Sequence, residues 1–225
     1  MRKICKSRTA QLIYQSMFCG MGIIGFLASV GLFEGRFNWD FYVFFTNISN
    51  YLCIGIMFAQ LVQTAKRRND GYVSTLPRLK FVAIMGIMLT FFVFNILLTV
   101  NNSDVFSVRS ILLHIVLPVA FTADWFLFYE HGKTRLTYIP LSMTFPISYT
   151  VYVYLHAALT GFDSSIMNSH FSRALIYPYF FLDLDQIGIM GVAQCVLILT
   201  LCFAVLALIF IGIDRLLKEK SKMNK

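Results

Sequence analysis

GIMGVAQCVLILTLCFAVLALIFIG, residues 188–212, runs for 25 positions without a charged side chain. A helix needs roughly 20 apolar residues to cross the hydrocarbon core of a bilayer, and this stretch exceeds that. The rest of the chain agrees with it. Of 225 residues, 58% are hydrophobic and 13% charged, and the mean hydropathy is +0.70. Soluble domains carry about 25% charged residues, so this chain lacks the polar surface that water demands and must be solvated by lipid. Working outward gives six spans, at about 11–32, 42–63, 80–100, 109–129, 137–157 and 188–212. The expected fold class is an all-α membrane protein, a six-transmembrane-helix bundle forming a single domain over residues 1–225.

The fifth span, YIPLSMTFPISYTVYVYLHAAL (138–159), is the least clean, with two prolines, several hydroxyls and a histidine. No repeat relates the first three spans to the last three, so an inverted-repeat transporter gains no support. The N-terminal MRKICKSRTA is basic, but the apolar run after it is too long for a cleaved signal peptide and lacks an A-x-A-like site. It reads as a retained first span. Cys5, Cys19, Cys53, Cys195 and Cys202 are scattered without a C-x-x-C pair, which fits neither a disulfide framework nor a zinc site. They read as small apolar fillers.

Orientation follows from the cations. With the N-terminus inside, all but three of the 19 lysines and arginines fall on inner segments, the exceptions being Arg36, Arg109 and Arg173. That asymmetry places both termini in the cytoplasm and the protein in the cell membrane as a multi-pass chain. The net charge of +8 is then a topology device and an attraction to anionic inner-leaflet lipid at the basic loops, not a nucleic-acid patch.

Depth can be read once orientation is set. Thr46, in FTNISN (45–50), lies five residues into the second span, roughly 7–8 Å at ~1.5 Å per residue. His114 is five residues into the fourth span, and Asn95 lies five residues from the same face. In the outer half of the fifth span, Tyr149, Tyr152 and His156 share one helical face by their spacing of three and four. Thr46, Ser49, Asn50 and Cys53 form a stripe that should face protein rather than lipid. Two readings stand for this polar layer. Asn47, Ser49 and Asn50 suit interhelical hydrogen bonds of about 0.6 kcal/mol each. An intramembrane histidine more often lines a cavity, a relay or a site. Pro118, four residues after His114, has no N–H for the His114 carbonyl, which predicts a freed carbonyl and a kink.

Other polar residues read more plainly. Asp124 lies 15 residues into the fourth span, near the inner interface beside Trp125, and is expected to snorkel or to pair with a cation such as Lys80. His131 is expected to be exposed in a basic inner loop. The outer loop 158–187 carries IYPYFFLD (176–183), too aromatic to float in water, and is expected to fold over the bundle mouth. The spacing of Asp163, His170, Asp183 and Asp185 matches no metal-ligand motif, so neither metal nor other cofactor is expected. Asn47 and Asn101 fit the glycosylation pattern by chance.

A threonine early in the second span, LLHIVLP (112–118), YTVYVYLH (149–156) and YPYFFLD (177–183) recur in an order that resembles the androgen-induced protein and androgen-dependent TFPI-regulating protein family, with its microbial six-span relatives. The resemblance implies hydrolysis of fatty acid esters of hydroxy fatty acids, with an intramembrane threonine as nucleophile and an essential histidine. Those roles fall on Thr46 and His114. The resemblance also draws Tyr177 and Asp183 toward the site. The animal pattern has four residues between histidine and proline where this chain has three, a ~100° difference in facing that the kink must absorb.

The chemistry is coherent. A threonine hydroxyl needs a base to take its proton, and histidine is the usual one. Asn50, Asn95 and Tyr152 are candidate donors to the developing oxyanion, with Tyr149 and His156 beside them. The expected partner is a membrane lipid or lipid ester. The alternatives are a non-catalytic lipid-binding, receptor or assembly protein, and a small-solute transporter with a polar cavity; below the polar layer the spans are mostly aliphatic and aromatic, which disfavours a continuous path.

Overall fold

The computed structural model describes residues 2–35, 37–38, 41–98, 107–160 and 175–223. Within them the regular structure is helical, apart from an isolated bridge between Val73 and Tyr129. Six long helices follow one another: α1 (Arg8–Ser29), α2 (Phe45–Lys66), α3 (Pro77–Val93), α4 (Val108–Phe128), α5 (Tyr138–Thr160) and α6 (Leu184–Met223). All but α5 are long and apolar enough to cross a membrane. α5 has the length, 23 residues, but its hydroxyls, its histidine and Pro146 in its interior leave it less apolar than the others.

Local chemistry sets where these helices begin. Ser7 Oγ accepts from the Ala10 amide ahead of α1, and Ser107 Oγ accepts from the Ser110 amide ahead of α4. Asp183 Oδ1 takes the amides of Asp185 and Gln186 at the head of α6. Each satisfies donors that a helix start leaves unpaired. α3 opens on Pro77, a position where the missing N–H costs nothing.

α3 is the centre of the bundle. Every residue from Lys80 to Ile87 is buried, and the helix touches α2, α4, α5 and α6. A helix enclosed on all sides should be apolar all round, yet Lys80 is completely buried. Its ammonium donates to Asp124 Oδ2 at 2.8 Å and sits 3.6 Å from the centroid of the Phe121 ring. Gln60 Nε2 reaches both Asp124 oxygens at 2.9 Å, and the Tyr129 hydroxyl lies 3.1 Å from Gln60 Oε1. Asp124 thus pairs with Lys80 inside the bundle. Breaking one partner of such a pair typically costs about 3–5 kcal/mol.

The N-terminal segment and the basic turns gather at one end of the bundle. The Arg8 amide bonds Asp70 and the Gly71 amide bonds the Lys6 carbonyl. At the same end, Asp214 of α6 holds the turn after α4 through His131 and Thr134.

Candidate functional site

The head of α2 lies among aromatic rings. Its N-cap residue, Phe44, has no side chain able to cap the first turn, so the amides there look to other elements. The Tyr179 hydroxyl lies 3.4 Å from the Thr46 amide and bonds the Thr46 side chain as well. The Tyr149 hydroxyl donates to the Val43 carbonyl at 2.9 Å, just ahead of the helix. A helix start presents unpaired N–H groups and a partial positive charge; here a phenol oxygen occupies that position. Tyr179 lies outside the spanning segments. Burial pushes its phenol above the ordinary tyrosine range, and the hydrogen bonds from Thr46 and the Phe45 amide oppose that only in part. It therefore stays protonated and able to donate.

Two short π-helical segments face each other one layer further in. Phe94–Leu98 extends α3, and Leu112–Val116 interrupts α4 just before Pro118. Such segments are rare, well under 1% of residues, and concentrate at functional sites. They release carbonyls from the α-helical ladder, and the polar layer serves those carbonyls. Asn50 Nδ2 donates to the Leu113 carbonyl at 3.0 Å as well as to Thr46 O at 2.8 Å. Asn95 Nδ2 donates to Phe91 O and reaches the carbonyl of His114 at 3.4 Å. The carbonyl freed by Pro118 is therefore met from the neighbouring helix. Ser49 Oγ lies 2.9 Å from Thr90 Oγ1. Asn50 Oδ1 and Asn47 Nδ2 are buried with no partner among the described residues.

The His114 ring stacks on Phe94, with centroids 3.5 Å apart and planes within 10°. Its Nδ1 lies 3.0 Å from the Ser110 carbonyl. A carbonyl can only accept, so Nδ1 carries the proton and Nε2 keeps its lone pair. That is the tautomer of a base. Among the described residues, no hydrogen bond joins His114 to Thr46.

Thr46 lines a cavity of about 50 Å³. Phe45, Phe94, Tyr149, Tyr179 and Leu182 are among its walls. Four threonines reach it. Thr90 is bonded to Ser49, Thr150 Oγ1 donates to Pro146 O, and Thr200 Oγ1 donates to Val196 O. Thr46 is the one at a helix N-terminus. Of the other residues expected around it, Tyr149 lines the cavity, whereas His114, Asn50, Asn95, Tyr152 and His156 are not on its walls.

The remaining candidates have structural partners. The Tyr152 hydroxyl donates to the Tyr42 carbonyl at 3.1 Å, and His156 Nε2 meets the Tyr42 hydroxyl at 3.3 Å. Together with Tyr149 they hold the Tyr42–Val43 approach to α2 against α5. Tyr177 is buried near the Tyr154 ring, with centroids 6.4 Å apart. Asp183 caps α6. Asp163, His170 and Asn101 lie outside the described residues, and no group able to hold a metal ion occurs among the described ones.

Two features escaped the sequence reading. Tyr179 lies in the quoted IYPYFFLD element, yet nothing in its spacing distinguishes it from Tyr177. His131 is not simply exposed, as expected for a loop histidine. Its Nδ1 lies 3.1 Å from Asp214 Oδ1 and its Nε2 lies 2.9 Å from the Phe126 carbonyl. Asp214, 83 residues away, is too distant in sequence to suggest the pairing. No family model, curated protein or solved structure matches this chain.

Proposed function

We propose that this chain is a six-span integral membrane protein that hydrolyses a lipid ester, with Thr46 as nucleophile and His114 as base. The observation that carries the reading is the setting of Thr46: a hydroxyl in the first turn of a helix, on the wall of a largely apolar cavity, bonded to a phenol. In the reaction, Thr46 Oγ1 attacks the ester carbonyl carbon while His114 Nε2 takes its proton. The negative charge that develops on the carbonyl oxygen meets the Tyr179 hydroxyl, which donates to it while the Phe45 and Thr46 amides hold the phenol oxygen. The alcohol leaves with the proton from His114. Water then attacks the acyl-threonine, and the same base relays its proton. For Nε2 to reach Thr46, the Phe94 ring that covers His114 must turn aside, which an acyl chain entering the cavity would bring about. The resemblance in LLHIVLP, YTVYVYLH and YPYFFLD supports this assignment independently of the geometry.

A non-catalytic lipid-binding role is the second reading, favoured by one observation: His114 is occupied by Ser110 and Phe94 rather than by Thr46. Purified protein incubated with a panel of lipid esters, beside Thr46→Ala and His114→Gln, separates the two. Hydrolysis should be lost with Thr46→Ala and fall about 10²–10⁴-fold with His114→Gln, and a fluorophosphonate-type probe should label Thr46. Hydrolysis surviving both substitutions, or absent from the folded wild type, favours the second reading.

A further inference from the structure

The Thr46 cavity does not end at its own walls. A second, open space of about 540 Å³ lies between α5 and α6, lined by Ile147, Tyr154, Ile189, Val192, Ala193 and Leu197 with their neighbours. The two spaces share three residues, Thr150, Val196 and Thr200. These three side chains stand as a neck between the cavity and the open groove on the outside of the bundle.

The chemistry of the groove and neck selects what can pass. Both neck threonines spend their hydroxyls on carbonyls of their own helices, Thr150 on Pro146 at 3.0 Å and Thr200 on Val196 at 2.7 Å. The passage therefore offers no uncommitted hydroxyl donor, and a polar group entering it would lose hydrogen bonds to water without replacement. An apolar chain loses nothing. From Ile189 to Thr200 the groove follows eleven residues of α6, roughly 16 Å at ~1.5 Å per residue. Beside its Ile189 end, α6 breaks from helical geometry at Gly188, with φ 66° and ψ 171°, and Asp183 caps the turn before the break. The space is thus elongated along α6, apolar and open at its side.

We propose that this groove is the lateral passage by which an acyl chain of a bilayer lipid reaches the Thr46 cavity, with Thr150, Val196 and Thr200 as its neck. The inference rests on the reading of the Thr46 cavity as a lipid site. It names the ligand part that occupies the site, an acyl chain arriving from the membrane rather than from water.

The test uses the full chain reconstituted in phosphatidylcholine nanodiscs that contain a phosphatidylcholine with a diazirine at the end of one acyl chain. After photolysis, attachment is mapped to residues. Lipid merely surrounding the protein can label exposed α6 residues and Phe92 of α3, which is 39% exposed, so the informative signal at α3 is attachment at Thr90, which is only 3% exposed and lines the Thr46 cavity. That signal should be present in the wild type and in Thr46→Ala, since binding does not need the nucleophile. It should be lost in Val196→Trp, which fills the neck, and retained in Ile198→Trp, which places the same ring on the exposed side of α6. Ala193→Trp, in the groove, gives a second blockade if Val196→Trp does not fold. Attachment at Thr90 that persists in both blocking variants, or that never occurs in the folded wild type, overturns the passage whether or not the protein hydrolyses esters. Attachment that behaves as expected in a protein without ester hydrolysis keeps the passage and removes only the catalytic reading.

Discussion

At the scale of single residues, His131 shows how a side chain can be read correctly in place and wrongly in role. Both its ring nitrogens face acceptors, the Asp214 carboxylate and the Phe126 carbonyl. Only the doubly protonated imidazolium can donate to both. Burial alone would lower its pKa, but the hydrogen bonds to Asp214 and Phe126 and the charge of Asp214 outweigh it, and the net direction is up. A histidine raised on folding stabilises fully below its unfolded pKa near 6.5 and loses that contribution as pH rises through the folded value. Thermal denaturation in detergent should therefore show a melting temperature that falls as pH rises above about 6.5. His131→Gln should start lower and flatten that slope. An equal slope in wild type and variant would remove the imidazolium from the account. Asp124 was more legible, because a carboxylate inside a span must find a cation, and Lys80 was a candidate already.

At the scale of elements, packing of α3 against α5 depends on a missing side chain. A Cβ at Gly86 would lie 2.3 Å from Cε1 of Phe145, far inside van der Waals contact. Gly86→Ala should therefore push α5 away or force the ring off its rotamer, costing about 1–3 kcal/mol, despite the better helix propensity of alanine. Unfolding in a denaturing detergent titration measures the loss, and adding Phe145→Leu should recover part of it. No change in the unfolding midpoint would mean that the two helices do not meet there. The π-helical segments are the element-scale feature that the sequence did not disclose. Pro118 announced a disturbance near His114, but the interruption precedes the proline and is matched by a second one at Phe94–Leu98. The asparagines of the polar layer follow from it, since released carbonyls inside a bundle need donors from neighbouring helices.

At the scale of the molecule, the N-terminal segment meets the basic turn after α2, that turn meets the end of α4, and the turn after α4 meets Asp214 of α6. A reporter fused to the C-terminus should be reachable only from the cytoplasmic side, as the positive-inside asymmetry requires; a C-terminus reachable from outside would overturn the orientation and the depths drawn from it. The sequence by itself pointed to a helical membrane chain with six apolar segments, and the structure forms a helix at each, five of them long and apolar enough to cross a bilayer. The reason is that lipid offers no hydrogen bonds, so each apolar segment must satisfy its own backbone as a helix of set length. Tertiary structure alone decided which partners those side chains take. Asn50 meets the Leu113 carbonyl, Tyr179 the head of α2, and His131 a carboxylate on α6, because rotation about each helix axis is fixed only when six faces pack together. The position of His114 behind Phe94, rather than on the wall that Thr46 lines, belongs to the same level: a π-turn shifts facing by a fraction of a turn, and no spacing in one helix records how its neighbour answers.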